Sequence, residues 1–241
     1  MKLILVFLLV LAGGVGLVGA QDSAPVTVEI TAADGAVLVG DYYAPTVETE
    51  GDPIPVLLMH QYGSNRRSWS LLVPELLAEG YAVYAVDLRG FGDSARPQDF
   101  AAAQSDTQVW IDWILQQPET ADDAIYLIGA SVGSNLALVG CAAHPACVTA
   151  VALSPGLDFY EVMTEPALHE LRTRSALLIA TQRDRESAEA VKTLTTVSEG
   201  EIGVQFFSGS AHGTSMLTTV RGGRVQALIV DWLRWQQPRS E

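Results

Sequence analysis

Ile125-Tyr126-Leu127-Ile128-Gly129-Ala130-Ser131-Val132-Gly133 is the stretch that decides the reading of this chain, and Ser134 to Gly140 continues it. Four apolar residues, a G-x-S-x-G and a helix-compatible run predict a buried strand, an abrupt turn and a helix. A serine on such a turn sits in strained backbone geometry, so its neighbours two residues away on either side must be small. Gly129 and Gly133 meet that demand. The turn lifts the hydroxyl above the sheet edge, and the following helix points its N-terminal amides at developing negative charge. A tight turn with an idle serine is the bland alternative. The strand before and the helix after single out Ser131 as a nucleophile.

A serine hydroxyl needs a base to take its proton. The chain has four histidines, His60, His144, His169 and His212. His212 lies between Gly209 and Gly213, after an apolar run at Ile202 to Phe206 and before the last amphipathic segment. His144 falls beside Pro145 in a short loop and His169 in a separate excursion, so both are expected at the surface. The imidazole in turn needs a carboxylate to fix its tautomer and stabilise its charged form. Asp184 follows the buried run Ala176 to Thr181, and the order Ser131, Asp184, His212 is that of one known triad arrangement. Asp158, after Val148 to Leu153, is the rival; its plainer reading is a turn residue, as that of Asp184 is a helix N-terminal charge. The oxyanion calls for two backbone donors. Val132, next to the nucleophile, supplies one, and the loop His60-Gln61-Tyr62-Gly63 after Val56 to Met59 supplies the other. His60 reads as a residue that shapes this loop.

His60 to Gly63, Asp87-Leu-Arg-Gly-Phe-Gly-Asp-Ser94, Gly129 to Gly133 and Ala211-His-Gly213, in this order, resemble the α/β-hydrolase superfamily. The likeness runs from about Val37 to the C-terminus and is closest to the dienelactone-hydrolase-like and small serine esterase members. It implies an α/β-hydrolase fold without a large cap domain, and the Tyr62 amide as the second oxyanion donor. Gln61 stands where the family usually has glycine, which leaves Gln61 itself as a further candidate. Dienelactone hydrolases proper use a cysteine nucleophile, so Ser131 does not imply that activity. The Asp87 to Gly92 segment is expected to be a structural loop, since its lone Gly-x-Gly is weak evidence for phosphate binding.

Strand-length apolar runs alternate with amphipathic stretches, the pattern of a mostly parallel sheet with helices on both faces. Val26 to Ile30 and Val37 to Tyr43 flank Asp34-Gly35 and predict an N-terminal antiparallel hairpin. Ala82 to Val86 completes the strands. Helices are predicted over Ser68 to Glu79, Thr107 to Gln117, Ser187 to Val197 and Val225 to Trp235, with a short one around Phe159 to Arg172. Trp232 and Trp235 are expected to pack on the sheet.

The first twenty residues read as a signal peptide: Lys2, an apolar run from Leu3 to Leu11, and Val18-Gly19-Ala20 at the cleavage site. An uncleaved membrane anchor is the alternative, although the run is short of the about 20 residues a spanning helix needs. The remaining residues, 21–241, are expected to form one domain. With 28 acidic against 14 basic residues the net charge is -14, which argues against nucleic acid as a partner. Cys141 and Cys147 are the only cysteines. In an exported protein they read as one disulfide. No Walker, dinucleotide or metal-ligand pattern is present, so no cofactor and no metal are expected. The expectation is therefore a secreted or periplasmic serine hydrolase acting on small carboxylic esters, with no stable membrane partner. The alternatives are a serine peptidase or amidase, or a non-catalytic binding protein on the same fold.

Overall fold

The computed structural model describes residues 24–94 and 97–237; the expected signal segment lies outside them. The chain builds β1 (Val26–Thr31), β2 (Val37–Tyr43), β3 (Pro55–Met59), α1 (Val73–Ala78), β4 (Ala82–Val86), α2 (Phe100–Ile114), β5 (Ile125–Ala130) and α3 (Val132–Ala143). It continues with β6 (Cys147–Leu153), β7 (Asp158–Phe159), β8 (Val162–Met163), α4 (Thr164–Glu170), β9 (Ser175–Thr181), α5 (Arg185–Leu194), β10 (Ile202–Phe207) and α6 (Gly222–Trp235). Eight strands form one sheet in the order β1-β2-β4-β3-β5-β6-β9-β10. The β1/β2 and β2/β4 pairs are antiparallel and all the others parallel. The first hairpin turns at Gly35, whose φ of 85° favours glycine.

Strands β3, β4, β5 and β9 are buried along their whole length, as strands covered on both faces must be. One core lies under α2, α3, α4 and α5, through Trp110, Ile111, Leu136, Leu168 and Val191. The other lies under α1 and α6, through Trp69, Leu76, Val225, Ile229 and Leu233. Strand order reverses between β3 and β5, and a crevice at the C-terminal strand ends is where such sheets place ligands.

Local expectations are corrected at four places: the helix over Ser68 to Glu79, the start of α2, the helix from Phe159, and Trp235. The helix predicted over Ser68 to Glu79 is a 3-10 turn, Arg66–Trp69, followed by α1. Pro74 explains the break, since inside a longer helix its ring would meet the carbonyl of Ser70. Helix α2 starts at Phe100 rather than Thr107 because Asp99 caps it, its carboxylate accepting from Ala102 N at 2.9 Å. The segment predicted as a helix from Phe159 first forms the β7–β8 hairpin. Its turn residues Tyr160 and Glu161 take φ of 57° and 67°, and Asp158 Oδ1 accepts from Glu161 N at 2.8 Å. Strand β10 is only half-buried because it is the sheet edge, paired with β9 alone. Trp232 packs as expected and donates from Nε1 to Thr149 Oγ1 at 2.9 Å, whereas Trp235 is exposed.

Cys141 and Cys147 form a disulfide between the last turn of α3 and the start of β6, with Cα atoms 5.1 Å apart. No described helix is long and apolar enough to cross a membrane.

Candidate active site

Ser131 stands between β5 and α3 with φ 52° and ψ -124°, a conformation that costs of order 1–3 kcal/mol and persists only where the surroundings enforce it. They do. Ser131 N donates to Leu153 O of β6 at 2.8 Å, and Ser131 O accepts from Ser134 N and Asn135 N. A Cβ on Gly129 would collide with the backbone of Gly133, and one on Gly133 with the carbonyls of Met59 and His60. Both glycines are therefore required, and the second contact brings the start of α3 against the end of β3. The first turn of α3 carries the Val132 amide, one of the N-terminal amides helix geometry leaves free.

His212 lies on the loop between β10 and α6. Its Nδ1 is 2.7 Å from Asp184 Oδ2. Asp184 sits at the N-cap of α5 but makes no capping bond there, so its carboxylate is given to the histidine. The Asp184 side chain is 11% exposed and that of His212 41%: the carboxylate is shielded and the imidazole reachable. The rest of the loop is fixed from the sheet. Thr181 Oγ1 donates to Ala211 O at 2.9 Å, and Gly213 N donates to Ser154 Oγ at 3.0 Å. A Cβ on Gly213 would lie 3.4 Å from that of Ala130, so the His212 loop rests against the residue preceding Ser131. Asp158, the rival acid, is exposed and occupied in its own turn. His169 is exposed, and His144 is partly buried beside Asp112, 3.2 Å away; neither joins this group.

His60 is fully buried. Leu88 N donates to its Nε2 at 3.0 Å, so the ring proton must be on Nδ1, which meets Gln61 O at 2.7 Å. Burial pushes this imidazole below its usual range, against the opposing pull of the Gln61 carbonyl and of Asp87. Ser64 N also donates to Gln61 O. With that carbonyl held, the antiparallel N–H of Tyr62 in the same trans peptide faces the other way. The Asp87 loop is structural, as expected. Asp87 accepts from Arg66 N at 2.7 Å, from the Arg66 guanidinium and from Asp93 N. Buried Arg66 also lies 2.8 Å from Asp41, and Arg89 joins Asp34 to Asp106.

An aromatic cluster covers the loop from His60 to Gly63. The Tyr62 ring packs edge-on to Phe91 and stacks on Tyr160, which stacks on Phe100 with centroids 4.5 Å apart. Phe159 lies edge-on to His212 at 6.4 Å. Beside the loop opens a cleft of about 430 Å³ lined by Tyr62, Gly63, Ser64, Phe91 and Gln98 among others. Among the described residues no group of three or more His, Cys, Asp and Glu is placed to hold a metal ion. No sequence signal marks Ser154, with its positive φ of 54°, or Asn135. The latter ties β8 and Gly156 to α3 through its side-chain amide.

The sheet, the serine elbow at its centre and the loops converging on it define an α/β-hydrolase. Residues 34–218 match the family model of X-Pro dipeptidyl-peptidase (S15 family), and the chain belongs to that family. It is 33% identical over 115 residues to a 2-hydroxymuconate semialdehyde hydrolase of Pseudomonas sp. (strain CF600), covering 45% of this chain and 39% of that protein. An esterase of Pyrococcus furiosus superposes with a TM-score of 0.74 at 19% identity, over 89% of this chain and 92% of its own. A dienelactone hydrolase of Anabaena variabilis superposes with a TM-score of 0.73 at 19% identity, over 88% of this chain and 98% of its own.

Proposed function

We propose that this chain is an exported serine hydrolase that cleaves carboxylic esters through an acyl-enzyme on Ser131, with residues 21–241 as one catalytic domain. The observation that carries the reading is a strained serine elbow, with the loop of His212 packed against Ala130 beside it and the His212 Nδ1 held by a shielded carboxylate. With Nδ1–H donated to Asp184, the free Nε2 of His212 is the basic atom. It takes the proton of Ser131 as Oγ attacks the ester carbonyl. The oxyanion then receives the amides of Val132 and Tyr62, the latter oriented by His60 through the Gln61 carbonyl. His212 next gives its proton to the leaving alcohol, and water, activated by the same imidazole, releases the acid. The Cys141–Cys147 disulfide supports export into an oxidising compartment.

Peptide-bond cleavage is the second reading, favoured by the family the chain belongs to. The two separate in a single assay. Purified protein is offered p-nitrophenyl esters and aminoacyl-p-nitroanilides, X-Pro anilides included. Specificity constants at least a hundredfold higher for the esters are expected; the reverse order overturns the esterase reading.

A further inference from the structure

The side chain of Gln61, in the loop after β3, is engaged. Its Oε1 accepts from Thr214 N at 2.9 Å and from Thr214 Oγ1 at 2.8 Å. Gln61 belongs to the loop after β3, and Thr214 is two residues past His212. One side chain thus ties the loop with the Tyr62 amide to the loop with the base, across 153 positions of sequence. Gly213 shows how tight the junction is. A Cβ there would lie 2.6 Å from Gln61 Oε1 and 3.2 Å from Gln61 Cδ, at a residue whose φ of 58° already favours glycine. The Gln61 amide therefore lies against the same residue that rests on Ala130, next to Ser131. The other anchors of the base loop, Thr181, Asp184 and Ser154, come from β9 and the loops following β9 and β6. Gln61 alone among them comes from the oxyanion side, where His60 and Ser64 hold its own carbonyl.

We propose that Gln61 is a positioning residue that sets the spacing between the Tyr62 amide and His212, so that base and oxyanion donor meet Ser131 in one fixed geometry. The proposal rests on the reading of Ser131 and His212 as nucleophile and base. Both groups act fully only in the transition state, so their misalignment lowers kcat and leaves ground-state binding nearly unchanged. A displacement of about 1 Å can cost on the order of 100-fold.

The test compares Gln61→Met, similar in length but without the acceptor, with Thr214→Val, which keeps its N–H and loses one of the two bonds. Steady-state kinetics on p-nitrophenyl acetate should show kcat lower by about 10- to 100-fold for Gln61→Met, with KM within about threefold. Thr214→Val should lose about 3- to 10-fold, and the double variant no more than Gln61→Met alone, because the interaction is shared. Gln61→Glu keeps the acceptor and adds a negative charge near His212, which should move the acid limb of the kcat/KM profile to higher pH. Wild-type kcat in Gln61→Met, losses that multiply in the double variant, or an unmoved acid limb in Gln61→Glu would overturn the proposal. Ser131→Ala separates a failure of the brace from a failure of the serine-nucleophile reading. If it is inactive while Gln61→Met is fully active, only the brace fails; if it turns over, the underlying reading fails.

Discussion

His60→Phe isolates what the buried histidine does, because phenylalanine has nearly the same shape and keeps the edge-on contact with Phe91, 5.5 Å away in the native protein. The change strips the acceptor from Leu88 N and the donor from Gln61 O. Leu88 is itself buried, so its N–H is left without a partner at a cost of about 1–3 kcal/mol. The Gln61 carbonyl keeps Ser64 N and loses roughly 1 kcal/mol. The total is about 2–4 kcal/mol, or on the order of 1 M in the urea midpoint for a chain of this size. The loss also depends on pH. Folded His60 has its pKa lowered from 6.5 by burial. Below that value the unfolded chain binds a proton that the folded chain refuses. Wild-type stability is therefore complete above about pH 6.5 and falls as pH drops toward the folded pKa, by at most about 1.4 kcal/mol per pH unit for this group. The variant lacks this slope, so the gap between the two proteins is widest at pH 7.5 and narrows toward pH 5. Turnover should fall about 10- to 100-fold as the Tyr62 peptide loosens. Urea unfolding at pH 5, 6 and 7.5 checks the argument. Equal midpoints, or a gap that widens in acid, would refute it.

Asp184→Asn should lower kcat by about 10⁴ through loss of the tautomer that leaves Nε2 basic, while Asp158→Asn changes it less than threefold; steady-state kinetics showing the opposite order would move the acid to Asp158. Replacing both cysteines with serine should cost about 2 kcal/mol, the chain-entropy value for a loop this short, read as a lower urea midpoint with kcat unchanged. Across p-nitrophenyl esters from C2 to C16, kcat/KM should peak at C8 or shorter. The excursion after β6 is a two-stranded hairpin and one short helix rather than a cap, and an open site gives a long acyl chain little apolar wall at about 25 cal/mol per Å². A maximum at C12 or longer would contradict this.

The serine elbow was legible because its constraints are local: Gly129 and Gly133 are forced by contacts within the turn and with the neighbouring strand end. His212 and Asp184 could be nominated from chain order, and the structure places their side chains 2.7 Å apart. The bonds that hold these groups could not be read. Ser154 to Gly213 and Gln61 to Thr214 join residues far apart in sequence, and nothing around Ser154 or Thr214 marks them. Element boundaries failed where one residue outweighs the periodicity, as Pro74 does before α1 and Asp99 before α2. The Tyr160-Glu161 turn was hidden for a different reason. Its left-handed residues are neither glycine nor asparagine, so the usual hairpin signal is missing.

The most direct test of the central claim is covalent labelling with a fluorophosphonate, followed by intact mass and peptide mapping. One adduct per chain is expected, on Ser131, with ester turnover lost in proportion to labelling. Ser131→Ala should not label and His212→Ala should label far more slowly, each with kcat lowered by up to about 10⁶. An adduct on another residue, or ester turnover near the wild-type rate in folded Ser131→Ala, would contradict it.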